Sequence, residues 1–199
     1  MPARHSEFPV DHLFLNRWSP RSFDGSTMPE ADLLTILEAA RWAPSAFNVQ
    51  PWRFVYSRRD DSTWSSFYSL LDDFNGSWAH GASALVFLFS DKEVDGVKEN
   101  GTIPNAFHSF DAGTAWGQAA LQASLLGYHA HAVAGLARDR VHETLGVPGR
   151  YKAEVAILIG RRGPVGALSS ELQKQERPSE RKSLNEIAFQ GAFNAPEFA

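Results

Sequence analysis

Two stretches carry residues whose types and spacing could bind a charged ligand. In NRWSPRSF, residues 16–23, Arg17, Ser19 and Arg21 alternate, so an extended backbone places them on one face. Two guanidiniums flanking a hydroxyl suit a phosphate, which takes bidentate, charge-assisted bonds from arginine and a neutral bond from serine. The same three residues also fit a solvated basic turn, because basic pairs are common on surfaces. In ARWAPSAFNVQPWRF, residues 41–55, the chain places Pro44, Ser45, Asn48, Gln50 and Pro51 between two tryptophans. A plain connection needs only one or two turn formers. Asn and Gln side chains bracketed by Trp42, Pro51 and Trp52 are expected to turn away from water, in the kind of connection where binding groups sit. An irregular helix-to-strand link with satisfied polar groups is the plainer account.

Several other chemistries lack their residues. No GxGxxG follows a strand pattern, and neither GxxxxGK[ST] nor GxSxG occurs. His129 and His131 share one face of a short strand pattern, but no third ligand lies near them in sequence. The absence of cysteine removes disulfides, thiolate metal sites and cysteine nucleophiles. A net charge of -4 gives no general attraction to nucleic acid or anionic membrane. The N-terminal MPARHSEFPV has no apolar signal region and no apolar run is long enough to span a bilayer, so a cytoplasmic protein is expected.

The elements that must position these residues alternate between helix and strand. A helix is expected over 27–43, opened by Thr27 and Glu30 in capping-box spacing and closed by Pro44. FVYS at 54–57 reads as a strand, 62–74 as a weak helix ended by an Asn75-Gly76 turn, and ALVFLFS at 84–90 as a strand buried on both faces. Residues 91–107 read as a long loop. Asp111 is expected to cap a helix running to Leu126, whose many small residues allow close approach of another backbone. A strand over 130–134, a helix over 138–145 and a buried strand over 154–160 follow. From 164 to 199 the pattern dissolves into a polar arm with little to bury by itself. It carries three phenylalanines near its end, which suggests packing on a partner subunit. With 199 residues and 43% hydrophobic content, the chain suits a single domain over 1–199. The class is α+β or mixed α/β, around a sheet of four to five strands, with a single doubly wound sheet as the competing architecture.

Taken in order, these motifs resemble the flavin-dependent nitroreductase family. The match runs from R-x-S-x-R-x-F through EAARWAPSAFNVQPWRF, FNGSWAHGASALVFLF and DAGTAWGQAALQASLLGYHAHAVAGL to ILIG and RPSERKSL. The resemblance implies a three-layer α-β-α sandwich around a mixed sheet, an intertwined homodimer, and FMN at each dimer-interface site. It places Arg17 and Ser19, with Trp18 between them, at the phosphate and ribityl end, and Arg181 again on the phosphate. Arg21 and Asn75 would approach the pyrimidine edge, and the Ala134-Gly135 backbone would approach N5. Pro44, Ser45, Ala46 and Asn48 would line the flavin from the other subunit. Some members carry an acidic residue where this chain has Ala134, which bears on substrate choice. The implied activity is ping-pong hydride transfer from NAD(P)H, as a transient co-substrate, to nitroaromatic, quinone or related acceptors. Reductive dehalogenation or enone reduction on the same fold, and flavin binding without turnover, are the alternatives. The segment 91–107, where family members differ most, would decide among the enzyme activities.

Overall fold

The computed structural model describes residues 4–98 and 101–193. In chain order the elements are α1 (His12–Asn16), α2 (Glu30–Arg41), β1 (Trp52–Arg58), α3 (Trp64–Tyr68), α4 (Asp73–Ala79), β2 (Ala84–Asp91), β3 (Glu93–Lys98), β4 (Gly101–Pro104), α5 (His108–Leu125), β5 (His129–Val133), α6 (Arg138–Thr144), β6 (Tyr151–Gly160) and α7 (Ser170–Gln175). Short 3-10 turns cover Ala46–Asn48, Val165–Ala167 and Leu184–Glu186.

Four strands form the main sheet in the order β1-β2-β6-β5. All three pairings are antiparallel, which corrects the mixed sheet expected while keeping the α+β class and the strand number. Successive side chains of a strand face opposite ways, and β2 uses both faces. Ala84, Val86 and Leu88 join one core with Leu33, Ile36 and Ala40 of α2 and the alanines of α5. Leu85, Phe87 and Phe89 join the other with Phe67, Leu70, Trp78, Val141 and Leu172. Two cores on two sheet faces make the three layers. Every residue of β2 is buried, as its unbroken apolar run implies.

Four local expectations are corrected. The helix after residue 27 starts at Glu30, with Pro29 at its cap and no side-chain capping bond, so the Thr27–Glu30 box does not form. Residues 62–74 split into α3 and α4. Asp72 caps α4 through the Asn75 N–H at 2.7 Å, which puts Asn75 and Gly76 inside a helix rather than in a turn. The expected loop 91–107 contains the β3–β4 hairpin, and Arg150 ties it down through Asp91 (2.7 and 2.8 Å) and Asp95 (3.0 Å). The central helix begins at His108, so Asp111 lies in its first turn and is not its cap. The polar arm also buries more than expected: Leu168 and Leu172 enter the second core. Residues 194–199, with the last phenylalanine, lie outside the described residues.

Candidate functional site

The segment carrying Arg17, Ser19 and Arg21 is laid down from two sides. On one side, Gly163 N–H donates to Ser22 O (2.8 Å), Asp24 N–H to Arg161 O (3.0 Å), and Ser22 Oγ to Pro164 O (2.7 Å). On the other, the His131 Nδ1–H of β5 donates to Pro20 O (2.9 Å), which fixes that tautomer. The buried carboxylate of Glu176 accepts the N–H groups of Arg21 and Ser22 at 2.9–3.0 Å. Burial alternates as an extended strand requires. Trp18, Pro20 and Ser22 are buried, while Arg17, Ser19 and Arg21 are half-buried and face a common cavity.

That cavity is about 310 Å³ and brings together residues far apart in sequence. Arg17, Trp18, Ser19, Arg21 and Arg181 line it, and Arg4, His131 and Arg177 line it as well. Arg17 donates to Ser19 Oγ at 3.4 Å. Burial, together with the nearby Arg181 and Arg4 charges, lowers the Arg17 pKa from its usual value. Arg21 Nε is buried without a partner. Glu176, the buried acid beside these cations, is engaged by backbone amides. Like charges held together with unfilled donors fit an anion such as a phosphate monoester. His131 is stacked on Trp78 with ring centroids 4.9 Å apart, and His129 packs edge-on to Trp18. Burial and neighbouring arginines lower both histidine pKa values, so the rings are neutral at pH 7. Among the described residues no group of three His, Asp or Glu side chains is placed to hold a metal.

Asn75 and Gly135 meet at a second locus. Asn75 is buried at the start of α4, and its amide lies close over Gly135, where an added Cβ would stand 2.5 Å from Asn75 Nδ2. Asp72 N–H donates to Gly135 O at 3.1 Å. The Ala134 carbonyl faces the Arg138 guanidinium at 3.4 Å.

Pro44, Ser45, Ala46 and Asn48 do not line the cationic cavity. Their connection is a strained wall. Phe47, Asn48 and Gln50 all have positive φ (51°, 56° and 53°), which non-glycine residues adopt only when their surroundings hold them there. Ser45 Oγ accepts Gln50 N–H (2.9 Å), Asp111 Oδ2 accepts Ala46 N–H (3.2 Å), and Thr114 donates to Pro44 O (3.1 Å). Asp111 therefore anchors this wall instead of capping its helix. Within one chain the expectation that the Asn and Gln side chains turn from water fails for Asn48, which is exposed, while Gln50 is half-buried; the neighbouring Trp42 is 70% exposed and Phe47 96%.

Arg4, His131 and Arg177 were missed by sequence reasoning. The available signal was the gathering of arginines at both ends of an acidic chain, at 4, 17, 21, 177 and 181.

Comparisons with known proteins agree on one family. The model of the Nitroreductase family matches residues 15–93 and 58–161. A crystal structure of an FMN-containing oxidoreductase is 49% identical, with a TM-score of 0.94 over 97% of both chains. A protein from Desulfovibrio desulfuricans, solved in complex with FMN, is 25% identical with a TM-score of 0.69, over 95% of this chain and 100% of that one. An enone reductase of CLA biosynthesis from Lactiplantibacillus plantarum is 29% identical over 182 residues, covering 75% of this chain and 83% of its own length. With the fold, the arginine cavity and a family match over well over half its length, the chain belongs to the nitroreductase family.

Proposed function

We propose that the protein is an FMN-dependent oxidoreductase that uses NAD(P)H to reduce nitroaromatic, quinone or related acceptors. The observation that carries this reading is the cavity lined by Arg17, Ser19, Arg21 and Arg181, a phosphate-fitting site in a chain 49% identical to an FMN-containing oxidoreductase. When bound, FMN supplies hydride chemistry, accepting from the nicotinamide and giving to the acceptor. Arg17, Ser19 and Arg181 hold the phosphate, and Trp18 backs them. Arg21 and Asn75 face the pyrimidine edge, where the Arg21 guanidinium favours the negative charge that reduction places on the ring. The Ala134-Gly135 backbone orients the reacting edge.

Pro44, Ser45, Ala46 and Asn48 complete the site from a second copy in a cytoplasmic homodimer. Supporting this, the large apolar side chains of Trp42, Phe47, Phe110 and Leu125 are all more than half exposed. The single domain spans 1–199, and its arm 164–199 reaches the partner. The Lactiplantibacillus plantarum relative supports enone reduction as a second reading of the acceptor.

The purified protein is expected to be yellow and to oxidise NADH or NADPH when given members of a panel of nitro, quinone and enone acceptors. A protein that stays colourless near 450 nm (about where oxidised flavins absorb) after FMN is added and unbound flavin is removed refutes the reading. Arg21→Ala is expected to lower the flavin midpoint potential by about 30–60 mV, or about 1.4–2.8 kcal/mol for two electrons, with the dimer intact. An unchanged potential removes the role given to Arg21.

A further inference from the structure

Arg4 has no part in the sequence pattern, yet it stands in the wall of the arginine cavity. We propose that Arg4 is a further ligand of the flavin nucleotide's phosphate monoester, so that the N-terminal segment closes the anion site. The inference rests on the FMN reading above.

The Arg4 guanidinium is only partly engaged. Its Nη1 donates to Leu15 O (3.2 Å) and Arg17 O (2.8 Å), which ends α1 and fixes the backbone of Arg17. Its Nε and Nη2 are buried and have no partner. A guanidinium offers five N–H donors and stays charged at neutral pH. Withdrawing these three N–H donors from water with no acceptor is unfavourable unless an anion supplies one. Arg17, Arg21, Arg177 and Arg181 line the same cavity, so every charged side chain in its lining is positive. Burial and the Arg181 charge accordingly lower the Arg4 pKa from its usual value. Glu176 offers its charge nearby but no acceptor to Arg4, because its two oxygens accept from the Arg21 and Ser22 amides. A phosphate monoester near its dianionic form at pH 7 is the chemical class that matches.

The test compares FMN with riboflavin, which carries the same ring and no phosphate. Dissociation constants are measured by quenching of flavin fluorescence on the full-length apoprotein, at low and high salt. Arg4→Ala is expected to weaken FMN binding about tenfold, to leave riboflavin binding unchanged, and to reduce the salt dependence of FMN binding. Arg4→Lys is expected to recover part of the loss. Where Arg4→Ala folds poorly, Arg4→Gln carries the same comparison, since it keeps donors for the two carbonyls without the charge. If FMN and riboflavin weaken equally, Arg4 acts only by holding Leu15 and Arg17, and the inference is overturned. An unchanged FMN constant overturns it too. A wild-type protein that binds neither flavin is a different result, which refutes the FMN reading itself and the inference with it.

Discussion

Arg17→Ala is expected to raise the dissociation constant for FMN about 10- to 100-fold, with no loss of stability in the apoprotein. Hydrogen bonds to a charged group contribute about 1.5–3 kcal/mol each, and about 1.4 kcal/mol is a factor of ten in affinity. The second half of the expectation comes from the local charges. Without an anion, the half-buried Arg17 guanidinium is disfavoured by its burial and by Arg181 and Arg4, as the downward direction of its pKa records. Removing it relieves that repulsion and gives up only a weak 3.4 Å bond to Ser19. Apoprotein melting should therefore hold steady or rise, while the extra stability gained on adding FMN falls with the weaker affinity. Arg181→Ala should act in the same direction but less strongly, because Arg181 is exposed. Its Nη1 is already shared with Ser179 Oγ, Ser179 O and Glu180 O. Titration of the apoproteins with FMN, paired with calorimetry with and without it, gives both numbers. If both variants hold FMN as tightly as the parent, the phosphate assignment fails.

The residues of that cavity were legible where chain-local physics determines them. The alternation of Arg17, Ser19 and Arg21 is a property of extended backbone, and the structure keeps it. The buried strands were legible for the same reason, since seven consecutive apolar or small residues, 84–90, leave β2 little alternative to burial on both faces. Asp111 was misread because a carboxylate near a helix start suits a cap equally well as a partner for a distant N–H. Only the tertiary contact with Ala46, 65 positions away, distinguishes the two. Asn75-Gly76 failed likewise, because Asp72 supplies a cap that overrides the turn preference of the pair. Arg4 lay outside any local motif because its meaning depends on the Leu15 and Arg17 carbonyls being folded back against it. The strain at Phe47, Asn48 and Gln50 left no mark in composition, since left-handed backbone at non-glycine residues is imposed by the surroundings.

Gly135→Ala tests the other locus, and it is expected to lower the melting temperature by about 5–15 °C. A Cβ at this position would stand 1.8 Å from Asp72 Oδ2, 2.6 Å from Asp72 Cγ and 2.5 Å from Asn75 Nδ2. Contacts that short cannot be absorbed by small adjustments, and Asp72 is not free to swing away. Its Oδ1 caps α4 through Asn75 N–H, its own N–H is bonded to Gly135 O, and the Leu71–Leu136 bridge and the Ala137 N–H bond to Leu70 O bind the two segments on either side. Overpacking of this kind costs about 1–3 kcal/mol and loss of a cap about 1 kcal/mol more. For a chain of this size each kcal/mol moves the midpoint by about 2–4 °C. The companion variant decides the cause. Asp72→Ala alone should cost about 1 kcal/mol, the value of the cap. In the double variant Asp72→Ala/Gly135→Ala both Asp72 clashes, at 1.8 and 2.6 Å, are gone and only the 2.5 Å contact with Asn75 stays, so the combined loss should be clearly smaller than the sum of the single losses. Strict additivity, or a Gly135→Ala protein that melts with the parent, would show that the close packing of Asp72 on Gly135 does not hold this corner of the site. Because Asn75 moves with Asp72, Gly135→Ala should also shift the visible spectrum of bound FMN, whereas a stability loss at a remote position would leave that spectrum in place.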